Sequence, residues 1–210
     1  MGKNKKRIRE KHQNYPTNIG NHTHPTPPKP SCLGKKEGCL CFEFPDGWDV
    51  EKYDAWKFVK NDKDGQYLGF NGIKDHGIRS VDFCAIDTES ALWLIEVKDY
   101  RKSNKEYEDG FFTTICDKFI YSMSGLFAAR YEAVKNEKDF AKKCCNTSIL
   151  KFVLHLELPE AKNEWDAAII DVKDVQDKMD QKLSRVAPNP LLVSMKYSQN
   201  LPWSVRDVSA

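Results

Sequence analysis

The chain has 210 residues, 40% of them hydrophobic and 30% charged, the make-up of a soluble globular protein with room for one α/β domain and a well-buried core. Its longest apolar run, Ala91-Leu92-Trp93-Leu94-Ile95, is far short of the roughly 20 residues that cross a bilayer, and the basic start leads into prolines and polar residues, so neither a membrane span nor a secretory signal is expected. The net charge of +2 is uneven: residues 1–40 hold nine basic side chains against two acidic ones, +7, leaving −5 for the remainder.

Residues 1–40 read as a basic, proline-containing flexible arm, and residues 41–210 as the folded domain. The arm carries the run from Lys3 to Lys11 and then Pro25, Pro27, Pro28 and Pro30, with almost nothing apolar to bury. Such an arm suits a nucleic-acid ligand, because phosphate contacts supply sequence-independent affinity. A solvated tail gives the same pattern. His22, His24, Cys32, Cys39 and Cys41 offer zinc-type ligands, but the C-x6-C-x-C spacing fits no common zinc module, and free thiols are the expectation.

From Asp49 to Lys60 an imperfect apolar stripe (Val50, Tyr53, Trp56, Phe58) predicts a helix with Asp49 as its N-cap. Two strands follow, Arg79–Asp87 and Ala91–Lys98, joined by a short polar turn into an antiparallel hairpin. A charged loop leads to a helix from about Phe111 to Val134, then a strand over Ile149–Leu158 stopped by Pro159. A helix over Val172–Val186 and a short strand over Leu191–Tyr197 complete the order. His155 in its apolar strand reads as a core histidine, and Trp56 and Tyr100 as packing aromatics. The predicted class is α/β, a mixed central sheet flanked by helices.

The second hairpin strand is apolar on both faces from Leu92 to Ile95, as a covered central strand requires. It nevertheless ends in Glu96 and Lys98, which project from one face roughly 7 Å apart. Hairpin pairing brings Asp82 beside Glu96, and two adjacent carboxylates raise each other's pKa unless a cation lies between them. Mg2+ (or Mn2+) is the expected cation, held by Asp82, Glu96 and the backbone carbonyl of Val97. Lys98 would orient or deprotonate a water, or offset charge on a phosphate. Arg101, Lys102 and Lys118 are the candidate nucleic-acid contacts.

Asp82 followed by Ile95-Glu96-Val97-Lys98 resembles the PD-(D/E)XK nuclease superfamily, as does the longer passage from Phe44 to Arg101, which is similar to a group of uncharacterised bacterial proteins of that class. The resemblance implies a restriction-endonuclease-like αβββαβ core over Asp49–Leu158, with metal at the Asp82 and Glu96 positions and water activation at Lys98. Val81 replaces the proline of the motif. The family often adds an acid from its first helix, for which Glu51 is preferred over Asp54. The expectation is therefore an enzyme: a Mg2+-dependent phosphodiester hydrolase, an endonuclease acting on DNA in antiviral defence or repair, cytoplasmic, with a possible homodimer or targeting partner. The competing expectation is a non-catalytic nucleic-acid-binding or scaffold subunit with the same fold. No glycine-rich phosphate loop, Ser-His-Asp order or H-E-x-x-H helix is present in the sequence, which argues against P-loop and zinc-peptidase chemistry.

Overall fold

A computed structural model describes residues 33–56, 59–60, 67–68, 79–102, 110–159, 172–197 and 201–208. In chain order the strands β1 (Leu33–Glu37), β2 (Leu40–Phe44) and β3 (Asp49–Lys52) precede a 3-10 turn, Tyr53–Ala55. A short ribbon, β4 (Val59–Lys60) with β5 (Tyr67–Leu68), comes before β6 (Phe83–Ile86) and β7 (Ala91–Asp99). Then come α1 (Phe111–Glu132), α2 (Lys135–Cys145), β8 (Ile149–Glu157), α3 (Val172–Leu183), β9 (Leu191–Val193) and β10 (Ser204–Asp207).

The central sheet runs β3-β6-β7-β8-β9. Its β3-β6-β7 half is antiparallel, and β7, β8 and β9 run parallel. Helices α1 and α2 make the crossover between β7 and β8, and α3 the one between β8 and β9. Side chains alternate across this sheet. Leu92 and Leu94 of β7 and Phe152 and Leu154 of β8 pack with Ile115, Phe119, Phe140 and Met179 of the helices. Trp93, Ile95, Val97 and Val153 point the other way, into an aromatic layer with Phe42, Phe44, Trp48 and Trp203. That layer lies under a second sheet, β1-β2-β10. The order is helices, five-stranded sheet, three-stranded sheet, an α/β architecture with a mixed sheet as the sequence predicts. The two-faced apolar character of β7 follows from burial on both sides.

The hairpin turn is held by one side chain. Asp87 Oδ1 accepts the N–H groups of Glu89 and Ala91 at 2.9 and 2.8 Å, and Asp87 Oδ2 accepts Trp93 Nε1–H at 2.8 Å. Ser90 takes a left-handed φ of 62° to close the turn.

Several expectations change. The arm does not extend to residue 40, because Leu33–Glu37 pairs with Leu40–Phe44 across a Gly38 turn. The helix expected over Asp49–Lys60 is instead β3, paired with β6, followed by a single 3-10 turn. Asp49 caps nothing; its carboxylate meets Lys143 at 2.6 Å. The stripe that suggested a helix arises because Tyr53 and Trp56 reach the helical layer from a turn. The interval between the helix predicted to end near Val134 and the strand starting at Ile149 holds a further helix, α2, whose Phe140, Ala141 and Cys144 are buried. The expected strand over Arg79–Asp87 starts only at Phe83.

Candidate functional site

Charged groups meet where β7 ends, at the carboxyl edge of the parallel strands, the side on which open α/β sheets offer room for ligands. Asp82 immediately precedes β6 and is fixed on every side. Val81 N–H donates to Ser122 Oγ of α1 at 2.9 Å. The Asp82 N–H donates to Ile95 O at 3.1 Å, and its carbonyl accepts Tyr53 N–H at 2.9 Å. The carboxylate Oδ2 accepts Val97 N–H at 2.7 Å. Asp82 thus continues the β6–β7 ladder with its side chain, on the helical face of the sheet.

Glu96 is fully buried. Lys118 of α1 reaches both of its oxygens, at 2.6 and 2.8 Å. Lys98, next but one on the same strand, reaches Oε1 at 2.5 Å. Two ammonium groups on one carboxylate compensate its desolvation, which a buried charge requires. Burial pushes Lys98 down, but the charge and hydrogen bond of Glu96 outweigh it and hold the amine above its ordinary range. Lys98 therefore stays protonated at neutral pH, which removes the expected role of deprotonating a water.

Asp82 has no such cation. Burial first, and then the Glu96 charge, push its carboxyl from 3.8 up to about 8, with Lys118 opposing. On its other side lie Glu37 of β1 and Asp54 of the 3-10 turn, with carboxylate oxygens of all three residues within 4.8 Å of one another. Lys52 bridges Glu37 and Asp54. The cluster therefore sets three lysines (52, 98, 118) against four acids (37, 54, 82, 96), and Asp82 is the acid left over. A proton or a cation at Asp82 balances it.

Asp82, Glu96 and Lys98 converge on one face, as the spacing predicts. Lys118, expected as a phosphate contact, is the second clamp on Glu96. Val97 meets Asp82 through its N–H, not through the carbonyl proposed as a metal ligand. Glu51, the preferred extra acid, lies on β3 opposite Cys84 and outside the group, and Asp54 takes that place. Arg101 is spent on protein: its guanidinium binds Asp99 at 2.6 Å and Asp207 of β10 at 2.5 Å. Lys102 is an exposed turn residue. Glu37 and Lys52 were missed, and no sequence signal marks them: β3 reaches the site by pairing with the distant β6, and β1, although it forms a local hairpin with β2, comes beside Asp82 only in the folded arrangement.

Cys32, His22 and His24 lie outside the described residues. Cys39 and Cys41 are free thiols, and no zinc-type group occurs among the described residues. Burial raises the Cys84 and Cys144 thiols, so neither is a thiolate. His155 is buried, with Nε2 2.8 Å from Glu157 Oε1 and its ring edge-on to Phe42. Trp56 is buried against Tyr53 and Phe140 and is not available to stack on a base. No described helix is long and apolar enough to cross a membrane.

No family model matches the chain, and no solved structure matches it. Over 202 aligned residues, covering 79% of this chain, it is 32% identical to a cysteine–tRNA ligase of Neisseria meningitidis serogroup A. The alignment takes in 28% of that relative, so the chain spans under a third of the length of the protein it matches. This likeness corrects the functional expectation. The relative is named as a ligase acting on tRNA, not as a hydrolase of phosphodiester bonds, so the readings as a DNA endonuclease, as an antiviral or repair nuclease, and as a subunit with a nuclease fold are withdrawn. The E-x-K spacing that suggested them is explained in the structure by the Lys98 and Lys118 clamp on Glu96.

Proposed function

We propose that this chain is a tRNA-directed enzyme or enzyme module of aminoacyl-tRNA synthetase type, and that the charged cluster around Asp82 is its ligand-facing site. The single observation that carries this is the 32% identity to a cysteine–tRNA ligase over most of the chain. The cluster suits such a ligand. Lys98 and Lys118 stand at its rim with part of each side chain open to solvent, and a protonated Asp82 leaves the group without excess negative charge toward a phosphate. On this reading the protein works in the cytoplasm with tRNA as its nucleic-acid partner.

A divalent cation, Mg2+ or Mn2+, is part of the proposal. The donor set of Glu37, Asp54 and Asp82 is all carboxylate oxygen, which suits a hard cation. Glu96 does not fit the role expected of it, since both of its oxygens are held by lysine. Bound there, the cation would neutralise Asp82 and offer a contact for phosphate oxygens.

The test is binding of tRNA to the whole chain, followed by fluorescence anisotropy with Mg2+ present and with a DNA duplex of similar charge as control. A cysteine-charging assay runs alongside. Preferential tRNA binding that weakens in Lys98→Gln is expected. Equal affinity for tRNA and duplex, with no charging, overturns the reading.

A further inference from the structure

Three polar side chains of α1, each four residues from the next, meet the segment that carries the charged site. Thr114 Oγ1 accepts Arg79 Nη1–H at 3.4 Å, Lys118 clamps Glu96, and Ser122 meets Val81. A serine inside a helix ordinarily returns its hydroxyl to the carbonyl four residues back, as Ser124 does to Ile120 O at 3.2 Å. Ser122 is used differently. Its Oγ accepts Val81 N–H at 2.9 Å across 41 positions, and its backbone carbonyl accepts Tyr53 Oη–H at 3.1 Å across 69. Tyr53 in turn donates its N–H to Asp82 O at 2.9 Å. Ser122, Val81, Asp82 and Tyr53 therefore close a ring of three hydrogen bonds and the Val81–Asp82 peptide. Ser122, Val81 and Tyr53 are fully buried.

We infer that Ser122 is a positioning residue of the charged site, holding Asp82 and Asp54 at their spacing through this ring; its bearing on the ligand rests on the tRNA-directed reading above. The ring leads directly into both acids. Asp82 follows Val81, Asp54 follows Tyr53 in the 3-10 turn, and carboxylate oxygens of the two lie within 4.8 Å of each other. Carboxylates so close repel, so their backbones need fixed points, and both fixed points run to one helix residue. A methyl group in place of the hydroxyl would leave Val81 N–H buried and unpaired, and Asp82 would lose the anchor on its N-terminal side. Lys118 lies one turn earlier on α1, so the helix that compensates Glu96 also sets where Asp82 stands.

The experiment compares Ser122→Ala, Tyr53→Phe and Ser122→Thr with wild type in the whole chain, by amide hydrogen exchange and by anisotropy with tRNA. Val97 N–H, which donates to the Asp82 carboxylate, is the reporter. In Ser122→Ala its exchange should quicken about tenfold more than that of Leu94 and Phe152 in the same sheet, and tRNA affinity should fall about fivefold. Tyr53→Phe, which removes only the hydroxyl, should move both readouts in the same direction. Ser122→Thr, which keeps a hydroxyl, should bring both back toward wild type. Should circular dichroism show Ser122→Thr unfolded, Ser122→Ala and Tyr53→Phe decide between them.

A serine that served stability alone would quicken all three amides equally and leave the affinity of the folded chain unchanged. Either result overturns the inference. A wild type with no preference for tRNA overturns the functional reading instead, and the exchange comparison then decides the role of Ser122. Preferential quickening at Val97 in both Ser122→Ala and Tyr53→Phe upholds it, and uniform quickening overturns it.

Discussion

The backbone N–H of Val97 points at the Asp82 carboxylate across 2.7 Å, so a side chain completes a ladder that the main chain of β6 leaves open. That hydrogen bond favours the ionised acid, yet burial and Glu96 prevail and the carboxyl titrates near 8. Asp82 is thus a strained ionisation built into the end of the hairpin.

Stability should register that strain. A carboxyl whose folded pKa exceeds its unfolded value keeps a proton that the unfolded chain has released, so stability falls as pH rises from about 4 to about 8 and stays low above that. Asp82→Asn, which retains an acceptor for Val97 N–H, should remove this component. At pH 9 its melting temperature should exceed that of wild type by several degrees, about 1–2 kcal/mol of stability. Below pH 5 the difference should vanish. Thermal scans across this range decide it, and parallel curves for the two proteins would refute the assignment.

Mn2+ or Mg2+ should raise the melting temperature of wild type at pH 8–9, because a cation that binds only the folded state stabilises it. Asp82→Asn should lose most of this gain. An equal gain in both proteins would place the ion elsewhere.

Lys118→Met should destabilise by about 2–4 kcal/mol, since it leaves a fully buried Glu96 with Lys98 alone. Urea denaturation measures this. Adding Glu96→Gln to that variant should recover part of the loss, because the uncompensated charge is then gone.

Arg101→Ala should change stability by less than about 1 kcal/mol, as its pairs with Asp99 and Asp207 lie at the surface. Under the tRNA-binding proposal it should also leave tRNA affinity unchanged, because the guanidinium already serves Asp99 and Asp207. A marked loss of affinity would show that Arg101 leaves them for the ligand.

Trp203→Ala should cost about 3–5 kcal/mol. Trp203 is buried and packs within 6 Å of Phe44, Trp48 and Trp93, with centroids 5.5, 5.8 and 5.2 Å away. Loss of tryptophan fluorescence structure at lower denaturant would report it.

Legibility in the sequence followed the range of the interactions. The β6–β7 hairpin, α1 and β8 were readable because their signals are local: the Asp87-to-Ser90 turn, a long 3.6-residue period, an apolar run ended by Pro159. The convergence of Asp82 and Glu96 came with the hairpin register. What escaped was fixed by distant partners. Leu33–Glu37 pairs with its neighbour β2, but nothing near Glu37 or Asp54 announces that either will lie beside Asp82. Residues Asp49–Lys52 pair with β6 although their surroundings carry a helical period, so tertiary pairing overrides the local pattern. The chemistry misled for a related reason. An acid and a lysine two residues apart on a strand look the same in sequence whether they serve a substrate or one another, and only Lys118, from a separate helix, tells the two apart.

The three-stranded sheet has a consequence for the order of assembly. Its middle strand β2 is made early, yet Ser204 pairs with Glu43 and its hydroxyl reaches that carboxylate from 161 positions away. During synthesis β1 and β2, with Phe42, Phe44 and Trp48, are available to cover the Trp93 side of β7 from the start, but the part that Trp203 and β10 close must wait until almost the whole described chain has left the ribosome. Nascent chains stalled before Leu201 should leave that part of the aromatic layer open, and addition of β10 to β2 should be the last step in closing the sheet.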